Sequence, residues 1–178
     1  MAVPGHVDLL LAFTNSVDHE LGTDDLTTRA ELSSWLAEHG LLTRRTASTD
    51  DDLALARSLR DGLHEALVAN HDGVGDARPL AAAAADLPLR LTATGARPGL
   101  QPVQDGVPGA LAKVLVAVNE AVADDTWPRV KICSADDCRW AYFDTTKNRS
   151  RTWCEWGCGN KATTRSYRVR QNAAGGHH

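Results

Sequence analysis

Four cysteines, Cys133, Cys138, Cys154 and Cys158, are the only ones in the 178-residue chain. They form two close pairs, C-x4-C and C-x3-C, with 15 residues between the pairs. A tetrahedral metal needs this layout. Each short pair curls its backbone around one side of the ion, and the intervening segment returns the second pair to the other side. Four thiolates at about 2.3 Å suit Zn²⁺ or iron. The first 20 residues lack a basic start followed by a long apolar run, so no secretory signal is expected. A reducing compartment then disfavours disulfides as the alternative. Four sulfurs also leave no coordination position for a reacting water. The expected cofactor is therefore one structural Zn²⁺. Such an ion contributes on the order of 10–16 kcal/mol to folding a small module, and a segment this short could not bury enough core without it.

The second chemistry is cationic. Residues 127–178 carry 10 Lys/Arg against 4 Asp/Glu, a net +6, whereas residues 1–126 carry 9 against 19, a net −10. An acidic body followed by a basic module points to a polyanionic partner. Lys147, Arg149 and Arg151 stand in a loop before Cys154. Lys161, Arg165 and Arg168 recur at i, i+4 and i+7 on one face of a helix expected from Lys161 to Arg170. With Arg170, these are the candidate phosphate contacts, and nearby Ser, Thr and Asn can add neutral hydrogen bonds. The alternative is a solvated basic face that balances the body. Trp140, Trp153 and Trp156 are expected as core around the metal rather than as base-stacking platforms.

A third candidate lies in the body. Asn15 and Asp18, three residues apart on the first expected helix, would neighbour each other. With Trp35 they could line a ligand pocket, although surface exposure or a local hydrogen bond is the plainer reading. No catalytic pattern stands beside them: the chain has no glycine-rich phosphate loop, no Gly-x-Ser-x-Gly and no His-Glu-x-x-His. His6, His19, His39, His64 and His71 are scattered and expected at or near the surface. An enzyme is not expected, and Asp50 to Asp52 read as a helix start rather than a cation site.

The elements that must hold these groups are mostly helical. Leu10, Phe13 and Val17 share 3- and 4-residue spacing, with Gly22 as the stop. A second helix is expected from Leu26 to Glu38 and a third after the Ser48-Thr49-Asp50 start, through Leu53, Leu59, Leu63 and Leu67 to Gly73. Ala81 to Ala85 favour a short helix. Leu89, Leu91 and Ala93 alternate like a strand, with a turn at Gly95 to Gly99 and a partner strand from Leu100 to Val103. Val107 to Ala123 return to helix. In the basic module, Arg129 to Ile132 and Trp140 to Asp144 read as two strands around the first cysteine pair. The fold class is α+β: a mainly helical N-terminal domain, 1–126, with a small β-hairpin, then a small treble-clef-like or ribbon zinc finger, 127–172, ending in a helix. Residues 173–178 look like the remnant of an affinity tag. No run approaches the roughly 18 apolar residues of a membrane span, and no membrane is expected.

The module, taken with its motifs, resembles the CGNR zinc-finger family. The likeness covers about 40 residues: Cys133-x4-Cys138, the run Asp144-Thr145-Thr146-Lys147-Asn148-Arg149-Ser150-Arg151-Thr152-Trp153-Cys154, and Cys158-Gly159-Asn160-Lys161. Lys161 stands where the family has Arg, and Thr152 where another Arg is common. Lysine keeps the charge but loses the bidentate fork. The body resembles the ABATE domain, through Leu11-Ala12-Phe13-Thr14-Asn15-Ser16-Val17-Asp18, Asp25-Leu26 and Leu32-x-x-Trp35-Leu36. These resemblances imply a bacterial, stress-linked transcription regulator that binds DNA through the finger, and the lack of a secretory signal makes the cytoplasm its expected location. They imply a sensor or regulatory role for the body, for which a small-molecule effector is a candidate partner. A homodimer is expected, because one finger buries only about 600–1,000 Å² on DNA. The rival reading is an RNA-binding or protein-docking zinc ribbon.

Overall fold

The computed structural model describes residues 2–42, 46–73, 76–94 and 97–161. The first helix, α1 (Gly5–Thr14), is shorter than its apolar spacing predicts. Hydroxyls terminate it: Thr14 donates to the Leu10 carbonyl and Ser16 to that of Phe13, both at 2.8 Å. The chain then enters a two-residue antiparallel ladder, β1 (Val17–Asp18) with β2 (Thr23–Asp24). Val17 therefore leaves the helical face, and Asn15 and Asp18 are not helix neighbours as the sequence suggested.

Hydroxyl–acid pairs set the next two starts. Thr28 and Glu31 close a capping box on α2 (Arg29–Glu38), and Thr49 and Asp52 close one on α3 (Asp50–Asp72). The Thr28 box moves the start of α2 three residues past the expected Leu26, which is buried regardless. Gly73, at φ +75°, ends α3 in the left-handed conformation that glycine adopts freely.

Helix α4 (Arg78–Ala84) lies across α3 at Gly62. A Cβ on Gly62 would stand 2.7 Å from backbone atoms of Leu80, so only glycine allows that approach. A hairpin follows, β3 (Leu89–Thr94) with β4 (Arg97–Pro102), with Leu91 opposite Leu100. The second strand takes in 97–99, which the glycines had suggested as turn. A two-stranded ladder has a free edge on each side, so it tolerates Pro98 and Pro102.

Contrary to the expectation that no run approaches a span, helix α5 (Gly106–Ala123) is, among the described residues, the one helix long and apolar enough to cross a bilayer by length and composition. Here it packs on α1 and β4 and contributes Leu111, Val114 and Ala121 to the interior. A 3-10 turn at Trp127–Arg129 leads to β5 (Val130–Ile132), paired antiparallel with β6 (Ala141–Phe143). Val130, Ile132, Ala141 and Phe143 belong to the same buried cluster as Leu10, Phe13, Leu59, Leu63 and Leu111. Strand β5 packs on α3, and β6 on α1. One apolar core thus runs through the composition break at Thr126.

Candidate metal centre and its cationic rim

The ladder of β5 and β6 continues one step into the first cysteine pair, where the Cys133 N–H donates to the Trp140 carbonyl at 2.9 Å. Between them the chain reverses in a tight turn: the Cys138 N–H donates to the Ala135 carbonyl, and Arg139 takes φ +53°. The second pair is brought back by the Cys154 N–H, which donates to the Cys133 sulfur at 3.5 Å. Gly157, at φ +84°, then sets up the helical turn 158–161 that carries Cys158.

All four sulfurs are buried and lie within 4.8 Å of one another. Cys138 to Cys154 measures 3.7 Å, and Cys154 to Cys158 3.6 Å. A regular tetrahedron with metal–sulfur bonds of about 2.3 Å has edges of about 3.8 Å. The donor set therefore fits one tetrahedral Zn²⁺ held by Cys133, Cys138, Cys154 and Cys158, in a closed, architectural site. Without a counter-charge, burial pushes the Cys158 thiol up to about 11 and raises Cys138 further. Cys133 shifts the other way: burial opposes ionisation there, but N–H donors from Cys154 and Ala135 outweigh it.

Beside the sulfurs lies a second organising centre that the sequence reading missed. Asp144, expected at the end of the second strand, is fully buried, and Lys131 in the middle of β5 is buried as well. The Lys131 ammonium donates to Asp144 Oδ2 at 2.9 Å and to the carbonyls of Arg149 and Arg151. Asp144 also accepts from the Thr146 N–H (2.9 Å) and hydroxyl (2.6 Å) and from the Arg151 N–H (3.0 Å). Burial alone would raise this carboxyl, but the Thr146 and Lys131 donors prevail and hold it down at about 2. The loop 144–151 is thus wrapped around one ammonium and one carboxylate. The sequence signal was a lysine between two apolar strand residues, Val130 and Ile132, where a solvated strand face would alternate outward.

Comparison with known families now bears on this geometry. The family model for ABATE, described as "putative stress-induced transcription regulator", matches residues 7–130, and that for the CGNR zinc finger matches residues 129–171. The chain belongs to the ABATE family. It carries a CGNR zinc finger, whose clustered thiolates hold one structural zinc. No curated protein matches the chain.

The two matches meet at 129–130, where the ABATE body and the finger share their core. Asn15, at the end of α1, pairs with both backbone groups of Ala141: its amide donates to the carbonyl at 2.9 Å, and its oxygen accepts the N–H at 2.7 Å. Asn15 thereby acts as an added partner for the edge of β6. Asn70 on α3 donates to the carbonyls of Trp127 and Val130. Ser134 in the cysteine turn meets His71 of α3. His64, expected near the surface, is buried beside Arg139 at this seam. Burial, then the Arg139 charge, lowers its pKa.

The proposed ligand-pocket residues separate. Asn15 and Trp35 border one cleft of about 620 Å³ with Asp24, Glu38 and Trp140, while Asp18 lines another beside Trp156. The Asn15 amide is committed to Ala141, and the Trp35 ring is covered by a stacked His39 at 3.8 Å.

The described phosphate candidates take different partners. Lys147 is exposed, with no bonded partner among the described residues. Arg149 pairs with Asp125, and Lys161 with Glu20 at 2.8 Å. Arg151 is drawn inward: its guanidinium lies 5.3 Å from the Tyr142 ring centre, donates to the Trp153 carbonyl and pairs with Glu155. Arg165, Arg168 and Arg170 lie outside the described residues. The tryptophans depart from expectation. Trp140 is half-buried against the sulfurs, but Trp153 is 37% exposed and Trp156 75%. Among the described residues, the four cysteines and Tyr142 fill this small cluster, with Trp140 packed against it.

Proposed function

We propose that this zinc-binding regulator acts on DNA, which its CGNR finger contacts through cationic side chains, with the ABATE body as sensor and dimerisation unit in the cytoplasm. The observation that supports this most is the segregation of charge: the net +6 of residues 127–178 sits on the module that the metal organises, against −10 on the body. A closed four-sulfur site supplies architecture and no open position for reaction. The contacts assigned to phosphate are Lys147, Arg149, Arg151, Lys161, Arg165, Arg168 and Arg170.

The test is the salt dependence of binding to duplex DNA by the zinc-loaded chain. Each phosphate contact contributes a log–log slope of about −0.9, so four to five contacts give roughly −4. Replacing Arg165 and Arg168 with Ala should weaken binding while zinc content stays at one per chain. Binding that barely changes with salt, or variants that bind like the parent, would sink the proposal. Trp156, at 75% exposure, favours a second reading in which the finger takes single-stranded RNA or a protein surface. Single-stranded RNA that displaces duplex DNA, with loss of that advantage in Trp156→Ala, would select it.

A further inference from the structure

Three cations of the finger are already matched by carboxylates of the body. The Arg149 guanidinium faces both oxygens of Asp125, just past the end of α5. The Lys161 ammonium lies 2.8 Å from Glu20, in the turn between β1 and β2. Arg139 lies 3.7 Å from Glu65 on α3. The cations fall within 139–161 and the acids within 20–125. Asp125 (φ +60°) and Arg149 (φ +52°) both hold left-handed backbone, which residues with a side chain rarely adopt. Two unusual backbone turns thus bring these two side chains within reach of each other.

A guanidinium or ammonium uses the same N–H donors for a carboxylate as for a phosphate. We propose that the ABATE body is an electrostatic latch on the finger. Asp125 and Glu20 occupy the donors of Arg149 and Lys161 that a phosphodiester backbone would take, so a polyanion must displace them in order to bind. This rests on the DNA reading above and names the regulation of that same surface.

The latch requires no hinge, since one core joins β5 and β6 to α1 and α3. It works at the level of side chains. Those of Arg149 and Lys161 are 36% and 59% exposed, which leaves them free to turn toward solvent. Exposed pairs of this kind are weak and salt-sensitive, so a dense row of phosphates can outcompete them. Arg151 stands outside the latch, because Glu155 belongs to the finger itself. Lys147 is unpaired among the described residues and is positioned to make the first contact.

The experiment is fluorescence anisotropy on a labelled duplex of about 25 base pairs with the zinc-loaded full chain, at 50 and 200 mM salt. Asp125→Asn and Glu20→Gln each remove one competing charge several ångströms from the phosphate. Each should tighten binding about two- to fourfold at low salt, the pair together about five- to fifteenfold, with smaller gains at high salt. Asp86→Asn removes the same unit of charge at an exposed site away from the finger cations and should change affinity less than about 1.5-fold. Arg149→Ala should weaken binding and cancel the gain from Asp125→Asn.

A parent that binds, with a double variant that binds no tighter, overturns the latch and leaves the DNA reading standing. So does a gain from Asp86→Asn equal to that from either paired acid. Binding by the double variant alone would support the latch in its strongest form. Absence of duplex binding by parent and double variant alike overturns the DNA reading and the latch with it.

Discussion

Replacing Lys131 with methionine keeps the length of the side chain and removes its charge. The Asp144 carboxylate, fully buried, then loses the ammonium 2.9 Å away, and the carbonyls of Arg149 and Arg151 lose their shared donor. Breaking one side of a buried ion pair costs about 3–5 kcal/mol, because the remaining charge stays in a poorly solvated place. The loss should fall in that range, since Thr146 and Arg151 N–H groups still support the carboxylate but none of them is charged. Against a total stability of about 5–15 kcal/mol this is a large fraction. Urea denaturation at pH 7 in excess zinc should lower the midpoint by about 1.5–2.5 M, for a slope near 2 kcal/mol per molar. The double variant Lys131→Met, Asp144→Asn keeps the acceptor oxygen and discharges the orphaned carboxyl. It should recover at least about 1 kcal/mol of the summed single losses. Arg149→Ala breaks an exposed pair and should cost about 1 kcal/mol or less. A Lys131→Met loss below about 1 kcal/mol, or strict additivity in the double variant, would show that the ammonium is not the centre of the loop.

Acid should expose the same pair: Asp144 is held near 2 against an ordinary 3.8, worth about 2 kcal/mol that is complete above about pH 4 and lost as pH falls toward 2. The stability gap between parent and Asp144→Asn should therefore narrow between pH 5 and 2.5, and a gap that is constant across that range contradicts it. Asn15→Ala strands the N–H and carbonyl of Ala141 and should cost about 2–4 kcal/mol, read by calorimetry as a fall in Tm of about 5–12 °C; a fall under 2 °C would mean the edge of β6 needs no such partner. Chelating the metal should lower Tm by at least about 10 °C and loosen body and finger in one transition, because Val130, Ile132, Ala141 and Phe143 lie in the body's core; a helical transition that stays at the parent's temperature contradicts the shared core. Gly62→Ala forces a Cβ to within 2.7 Å of Leu80 backbone and should cost about 1–3 kcal/mol in the same urea assay, with no loss of zinc.

What could be read in advance was whatever is encoded over a few residues. The cysteine spacing carries the metal site because a tetrahedron constrains short loops directly. The hydroxyl and carboxylates at Thr49 to Asp52 carry the start of α3 because capping is satisfied within one turn. The misses around the site involve partners far apart in the chain. Asn15 is bonded to Ala141, Arg149 to Asp125 and Lys161 to Glu20, pairings separated by 126, 24 and 141 positions that no local period announces. The charge break at Thr126 suggested two units because net charge reports on surfaces, whereas the apolar residues on either side of it share one interior. That same separation of charge is what makes cross-pairing unavoidable. An acidic surface and a basic one joined by a common core must meet along their seam, and each cation there will bond to the nearest carboxylate unless a phosphate arrives to take its place. On the proposed DNA reading, the electrostatic asymmetry that points to a polyanion would therefore also set its affinity below the value the finger's cations would give alone.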